Sequence, residues 1–338
     1  PANAAALADL ARNPALAPAV RAEAMAALAE FMQPGPRDRV NGHWRPVDAS
    51  TRDRAAYVEV LKQKLPSLAA NGPSDVRAIA RELAGRFSVP MDSGAALATV
   101  LDATKPSAER VACLVQLAQD KDSRARQAMD AALASDDAHL RAQARTLLAQ
   151  ADPAAGVPLL LAALQGGSVA EQQAAVAALA TVDAAAARAA LAAQLAKLQD
   201  GSLAPALQVD VYEAAQAVPE LKPKADAWRA ALPKDKPVNA WLFCLEGGDP
   251  QAGRQVVNFH SAAACLRCHT VEGTGGHAAP PLAGVATRHD RTGLLASLID
   301  PNAQVAQGFG PVSAMPAMGT MLTPRQIRDV VAYLSTLK

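Results

Sequence analysis

The sequence predicts an all-α fold, in which stacked helix pairs are followed by a small helical domain that carries the chemistry. Three observations lead to this prediction. About a quarter of the 338 residues are alanine and only 3% are aromatic, a composition that favours helices packed through small side chains. Similar amphipathic units recur up to about residue 230. A helix-start signal also lies close to the C-terminus.

The repeated units share a polar start, an arginine, and then small or apolar residues at helical spacing. Arg77, Arg110 and Arg141 are separated by 33 and 31 positions. Because one amphipathic helix cannot bury its apolar stripe alone, each unit predicts an antiparallel helix pair that stacks on its neighbours as a solenoid. The clear copies are Pro18–Phe31, Ser74–Phe87, Ser107–Asp120 and His139–Asp152, and the looser ones are Ser168–Asp183 and Ala206–Val218.

These units resemble short bacterial HEAT repeats. The resemblance implies a helical scaffold without chemistry of its own, or a surface on which a partner protein docks. The stretch Pro34–Pro46 departs from the pattern and holds Trp44 among glycine, proline and three arginines. It is either an inter-helical loop pinned by Trp44 or an exposed contact for another protein.

The composition changes between Leu221 and Pro250, where proline and lysine predict a semi-rigid linker. We therefore predict a repeat domain over residues 1–230, a linker over 231–245 and a second domain over 246–338. The net charge of +1 gives no case for nucleic-acid binding. No apolar run approaches the roughly 18–20 residues of a membrane span, so we expect none.

The motif Cys265-Leu266-Arg267-Cys268-His269 is the attachment signature of a c-type haem. Two thiols one helical turn apart can bond to the two vinyl groups at one porphyrin edge, and the histidine that follows can reach the iron. A redox-active cysteine pair is an alternative, but no βαβ context surrounds the motif. Half of a zinc site is another, but no second C-x-x-C exists and His260, His277 and His289 lack regular ligand spacing.

A methionine sulfur commonly fills the axial position opposite the histidine. The segment Ser313–Gly319 (SAMPAMG) contains Met315, which is the predicted ligand, and Met318, which is the main alternative, with Met321 as a third. Each of them is otherwise an ordinary core residue. A terminal helix is predicted over Thr323–Leu337, with Thr323 as the N-cap and Pro324 at the first helical position. Tyr333 lies beside its apolar stripe, which comprises Ile327, Val330, Val331, Leu334 and Leu337.

From Gly253 to Lys338 the sequence resembles a class I cytochrome c domain. More narrowly, it resembles the haem domain attached to HEAT repeats in large bacterial dehydrogenase-like proteins. The matching motifs are CLRCHTVEGTGG, APPLAGVATR, LLASLIDPNAQVAQGF and SAMPAMGTMLTPRQIRDVVAYLSTL. The upstream repeats are similar to the region between propeller and cytochrome in sugar dehydrogenases of the glucose/sorbosone type, but no catalytic propeller precedes them in this sequence.

The resemblance assigns roles to individual residues. Cys265 and Cys268 would be the thioether sites and His269 the proximal ligand. Pro280 would offer its carbonyl to the imidazole of that histidine, which fixes the ring and increases its basicity. Arg288 falls where a basic side chain could meet a haem propionate. Tyr333 is included among the residues expected at the cofactor.

These observations predict one covalent haem c with His/Met ligation and a function in one-electron transfer. The donor would be a dehydrogenase, as a partner or a formerly fused domain, and a downstream acceptor would take the electron, with the repeats as docking scaffold. We expect no catalytic site. A haem enzyme or gas sensor with an open distal site, and a binding scaffold in which haem is structural, remain alternatives. Haem c attachment in this family implies a periplasmic or otherwise exported protein.

Overall fold

The computed structural model describes residues 2–39 and 43–338. They form two compact units, Pro1–Leu160 and Leu161–Lys338. Helices dominate both units, and the only strands among the described residues are two of two residues each, so the all-α prediction is confirmed. None of the described helices is both long and apolar enough to cross a membrane.

The first unit consists of helices in sequential pairs. Each helix packs against its partner in the pair, and one or both helices of a pair also contact the next pair along the chain. The repeated units in the sequence correspond to the second helix of each pair. The helices are α1 (Ala2–Arg12), α2 (Pro18–Ala29), α3 (Arg54–Asn71), α4 (Ser74–Phe87), α5 (Ser93–Leu101), α6 (Ser107–Gln119), α7 (Ala125–Leu133) and α8 (Ala138–Ala151).

The recurring arginine of each pair donates a hydrogen bond to a carbonyl at the end of the preceding helix or just after it. Arg21 donates to the carbonyl of Ala11 at 2.8 Å and Arg77 to that of Gly72 at 2.7 Å. The same contact joins Arg110 to Val100 at 3.1 Å and Arg141 to Ser135 at 2.7 Å. Because the last carbonyls of a helix have no partner within it, and a cation is favourable near its negative end, the arginine completes the turn between the paired helices.

The loop between α2 and α3 contains the aromatic and basic stretch Pro34–Pro46. Arg37 and Trp44 form an isolated antiparallel bridge, and the guanidinium of Arg37 lies 5.8 Å from the indole centroid. Trp44 is 58% exposed, so it is not inserted into a core. Residues 40–42 of this stretch lie outside the described residues.

The second unit continues with paired helices and ends in the domain that carries the Cys-x-x-Cys-His motif. α9 (Pro153–Gly166) spans the boundary between the two units. The remaining elements are α10 (Val169–Thr181), α11 (Ala185–Asp200), α12 (Gln208–Ala217), α13 (Lys222–Ala231), α14 (Pro250–Phe259), β1 (Thr270–Val271), β2 (Thr274–Gly275), α15 (Val285–Arg288), α16 (Arg291–Ile299) and α17 (Pro324–Leu334), with 3-10 helices at Pro205–Leu207, Pro237–Cys244, Cys265–Arg267 and Met318–Thr320.

The predicted linker, residues 231–245, contains the 3-10 helix Pro237–Cys244. Its exposed first half holds the lysines, whereas Phe243 and Cys244 are buried in the same core as α17. The ring of Phe243 packs edge-on against Tyr212 of α12 and Trp228 of α13, at centroid distances of 5.8 and 5.3 Å. This segment is therefore packed between helices of the second unit.

Helices α14 and α17 cross at very close range in the core of the C-terminal region. A Cβ at Gly253 of α14 would lie 1.9 Å from the carbonyl oxygen of Asp329 and 2.8 Å from the Cβ of Tyr333. Only glycine fits between the two backbones at this point. α17 begins with the predicted N-cap, since the hydroxyl of Thr323 accepts from the N–H of Gln326 in a capping box.

Candidate haem-binding site

The cysteine pair lies on one short turn of helix that follows α14. Cys265 opens the 3-10 helix Cys265–Arg267, and the N–H of His269 donates to the carbonyl of Cys265 at 3.0 Å. Cys265 is half-buried against the core, whereas Cys268 is exposed. No disulfide joins the four cysteines, all of which lie in the described part of the chain.

His269 is held by a single hydrogen bond that fixes its tautomer. Its Nδ1 lies 2.7 Å from the carbonyl oxygen of Pro280. A carbonyl can only accept, so in the neutral ring this contact places the proton on Nδ1 and the lone pair on Nε2. An imidazole in this state is ready to ligate a metal through Nε2, with a carbonyl behind it that orients the ring.

Backbone hydrogen bonds hold the loop that contains Pro280 against the motif. The N–H of Ala279 donates to the carbonyl of Cys268 at 3.0 Å, and the N–H of Leu282 donates to that of Thr270 at 2.9 Å. These two bonds flank Pro280 on both sides. The position of its carbonyl relative to the imidazole is thus fixed by the backbone rather than by one flexible side chain.

The β1–β2 hairpin completes the turn after His269. Thr270 pairs with Gly275 and Val271 with Thr274. Gly275 adopts a φ of 117°, and a Cβ there would lie 2.1 Å from the carbonyl oxygen of His269. The hairpin can fold back this tightly only with glycine at that position.

Arg288 lies at the end of α15 and contacts the same loop. Its guanidinium donates to the carbonyl of Pro281 at 2.7 Å and to that of Ala283 at 3.0 Å. These bonds brace the residues that follow Pro280. The sequence did not indicate this contact, because backbone acceptors leave no trace in residue identity.

The three candidate methionines have different surroundings. Met315 is half-buried beside the core, and its N–H donates to the hydroxyl of Ser313 at 3.1 Å. Met318 is only 3% exposed and belongs to the core itself, where it opens the 3-10 helix Met318–Thr320. Met321 is half-buried. The side chain of Met315 is therefore less committed to core packing than that of Met318.

Tyr333 lies in the interior at the crossing of α14 and α17. Burial raises the pKa of its hydroxyl, and the negative charge of Glu272 adds to the shift. Glu272 itself forms an ion pair with Arg254 of α14. Tyr333 is thus a residue of the core that also contains α17, and its place at the cofactor stays a prediction.

The other histidines of this region do not assemble a second site. Nδ1 of His260 accepts from the N–H of Ala263 at 3.2 Å, and His277 contacts the hydroxyl of Thr270. Across residues 2–39 and 43–338, no three histidine, cysteine or acidic side chains gather in a way that would hold a metal ion. Two thiols and an imidazole in the spacing of Cys265, Cys268 and His269 fit a covalently attached haem.

One comparison with known proteins found a match, and it covers the C-terminal region. Residues 251–338 match the family model described as Cytochrome c. The C-terminal region is a cytochrome c domain. Searches of the curated proteins and of the solved structures found no match to the chain. The match includes the Cys-x-x-Cys-His motif, the loop with Pro280, the methionine segment and α17. A cytochrome c domain carries covalently attached haem, so it supports haem-based electron transfer as the general function of this region.

Proposed function

We propose that the chain carries a single haem c, joined through Cys265 and Cys268 and ligated by His269 and Met315, and that it transfers single electrons. The observation that supports this most directly is the 2.7 Å contact between Nδ1 of His269 and the carbonyl of Pro280. It leaves Nε2 as the free donor atom, as a proximal ligand requires. When bound, the haem would supply a reversible one-electron couple.

The residues around the site would hold the ligands in place while the charge changes. The backbone bonds at Ala279 and Leu282 keep the carbonyl of Pro280 aimed at the imidazole. Arg288 braces the same loop through Pro281 and Ala283, and in the loaded protein it is our candidate partner for a propionate. Because Met318 packs the core, we assign the second axial position to Met315.

The helical pairs are proposed as a docking scaffold of the HEAT type. In this proposal a dehydrogenase, as a partner or as a formerly fused domain, delivers the electron and a downstream acceptor protein removes it. The proposed location is the periplasm or another exported compartment, where haem c is attached in the family that the domain resembles. The cytochrome c match supports the redox role in general, and these finer assignments are our inference.

An intact mass and an absorption spectrum of the purified protein test this proposal. We expect the mass increment of one covalent haem and the sharp visible bands of a low-spin iron. Met315→Ala should remove the methionine signature and open the site to carbon monoxide. Met318→Ala is the matched control, and it should lower stability by about 2–5 kcal/mol, as for other buried large-to-small changes, without changing the ligation. Unmodified mass, or a wild-type protein that binds carbon monoxide at once, would contradict the proposal.

A further inference from the structure

The start of α17 is held by a residue that lies outside the cytochrome c match. Glu213 of α12 accepts from the N–H of Arg325 at 3.1 Å and from its Nε at 2.8 Å. Arg325 is the second residue of α17, in the turn whose N–H groups have no partner within the helix. The carboxylate therefore caps α17 from another part of the chain, in addition to the hydroxyl of Thr323.

A second carboxylate of α12 holds the same helix one turn further along. Asp210 is 1% exposed and lies 2.6 Å from Nη1 of Arg328 and 3.0 Å from Nη2 of Arg325. Arg328 also contacts Asp329, which accepts from the N–H of Asp249 at 3.0 Å. Removal of either partner from a buried ion pair leaves an uncompensated charge, so this arrangement is costly to open.

The methionine segment itself is covered by a residue that precedes the match. A Cβ at Gly319 would lie 2.7 Å from a ring carbon of Trp241, which belongs to the 3-10 helix Pro237–Cys244. The guanidinium of Arg229, a residue of α13, lies 4.5 Å from the ring centroid of Trp241. Gly319 directly follows Met318, so the indole packs on the backbone between Met315 and α17.

We propose that Glu213, Asp210 and Trp241 are positioning residues for the axial methionine. This inference rests on the proposed function. Eight positions, residues 316–323, lie between Met315 and α17, and within them Met318 and Leu322 are anchored in the core. Glu213 and Asp210 fix the helix at one end of this segment, and Trp241 packs against Gly319 within it. The elements α12 and Pro237–Cys244 thereby hold the sulfur at its place, although neither belongs to the matched domain.

Competition with imidazole measures this role directly, because imidazole binds the iron only when the methionine has left it. The apparent affinity follows the fraction of molecules with the site open. Loss of the charge of a carboxylate that bonds the first turn of a helix is worth about 1 kcal/mol, or about fivefold in an equilibrium. In the full-length haem-loaded protein, Glu213→Gln and Trp241→Ala should each bind imidazole about fivefold more tightly than wild type. The absorption band of a methionine on ferric iron should disappear at correspondingly lower imidazole concentration.

Three controls separate positioning from general loss of stability. Asp226→Asn removes an exposed carboxylate of α13, and Trp44→Ala removes an exposed indole from the other unit. Leu191→Ala in α11 destabilises the second unit through a buried residue of a different core cluster. All three should leave the imidazole affinity at the wild-type value, the last one in spite of a lower melting temperature.

The experiment distinguishes a failure of the positioning role from a failure of the proposed function. If Glu213→Gln and Trp241→Ala bind imidazole as wild type does, or no more tightly than Leu191→Ala, the positioning role is wrong while methionine ligation stands. If wild type lacks the methionine band or covalent haem altogether, the proposed function itself is wrong. Should Trp241→Ala not fold, Glu213→Gln alone decides, since it keeps the size of the side chain.

Discussion

Glu109 of α6 provides a quantitative test of how the first unit is held together. Its carboxylate accepts two hydrogen bonds of 2.7 Å from Arg77 and one of 3.1 Å from Arg81, both of α4. The side chain of Glu109 is 2% exposed and that of Arg81 is 7% exposed. Loss of one member of such a buried group is expected to cost about 3–5 kcal/mol. Because Arg77 is 22% exposed and can turn to solvent, we expect Glu109→Gln to lower the free energy of unfolding by about 3 kcal/mol, the lower end of this range.

The assay is urea unfolding of the full chain followed by far-ultraviolet circular dichroism. The matched control is Glu82→Gln, which removes an exposed i,i+4 partner of Arg86 and should cost less than about 0.5 kcal/mol. Equal losses for the two variants would refute the reasoning, because burial would then not matter. An unchanged midpoint for Glu109→Gln would refute it as well.

The ionisation of Glu109 determines how the stability lost in Glu109→Gln depends on pH. Burial alone raises the pKa of Glu109, but the hydrogen bonds and charges of Arg77 and Arg81 outweigh it, so the pKa in the folded protein is lowered. The contribution to stability is therefore complete above the unfolded value, about 4.3. It is lost as the pH falls through the lowered folded pKa. The difference between wild type and Glu109→Gln should shrink in that acidic window and stay constant at neutral pH.

Two further predictions concern the cytochrome c domain. Gly253→Ala places a methyl group 1.9 Å from the carbonyl oxygen of Asp329 and should destabilise the α14–α17 crossing by about 1–3 kcal/mol. The measurement is the melting temperature followed by haem absorbance, which should fall. Gln255→Ala, on the exposed side of α14, is the control and should leave the melting temperature unchanged. Residues 273–287 and 301–324, which include the loop of Pro280 and the methionine segment, contain no Asp, Glu, Lys or Arg. We therefore expect the rate of oxidation by ferricyanide to change less than about twofold between about 10 mM and about 1 M salt. The rates of electrostatically steered associations change by about 10–1,000-fold. Val312→Lys, at a position that is 69% exposed, should restore a salt dependence, and a steep dependence in wild type would contradict the second prediction.

Local signals of the sequence predicted six helices of the repeats and α17. Pro324 after Thr323 marks the start of α17 as predicted, and Asp152-Pro153 separates α8 from α9. These signals work because capping and the missing N–H of proline act within one turn of chain. The Cys-x-x-Cys-His motif is local in the same sense, since its function depends on one turn of helix.

Contacts between distant parts of the chain could not be predicted in this way. Arg328 and Asp210 are 118 positions apart, and nothing in either local sequence names the other. The recurrence of the repeat arginines was visible, but their carbonyl partners were not, because every residue offers the same backbone acceptor. The lysines and prolines of residues 231–245 predicted a linker, whereas the apolar run that begins at Trp241 decides where the segment packs.

The backward-reaching arginines of the first unit have a consequence for the order in which the chain folds. Each of the four bonds, from Arg21, Arg77, Arg110 and Arg141, closes a loop of only 5 to 10 positions. Contacts this close in sequence require little loop-closure entropy and form quickly. We expect the helix hairpins of the first unit to form early in folding, before contacts between distant positions such as that of Arg328 with Asp210.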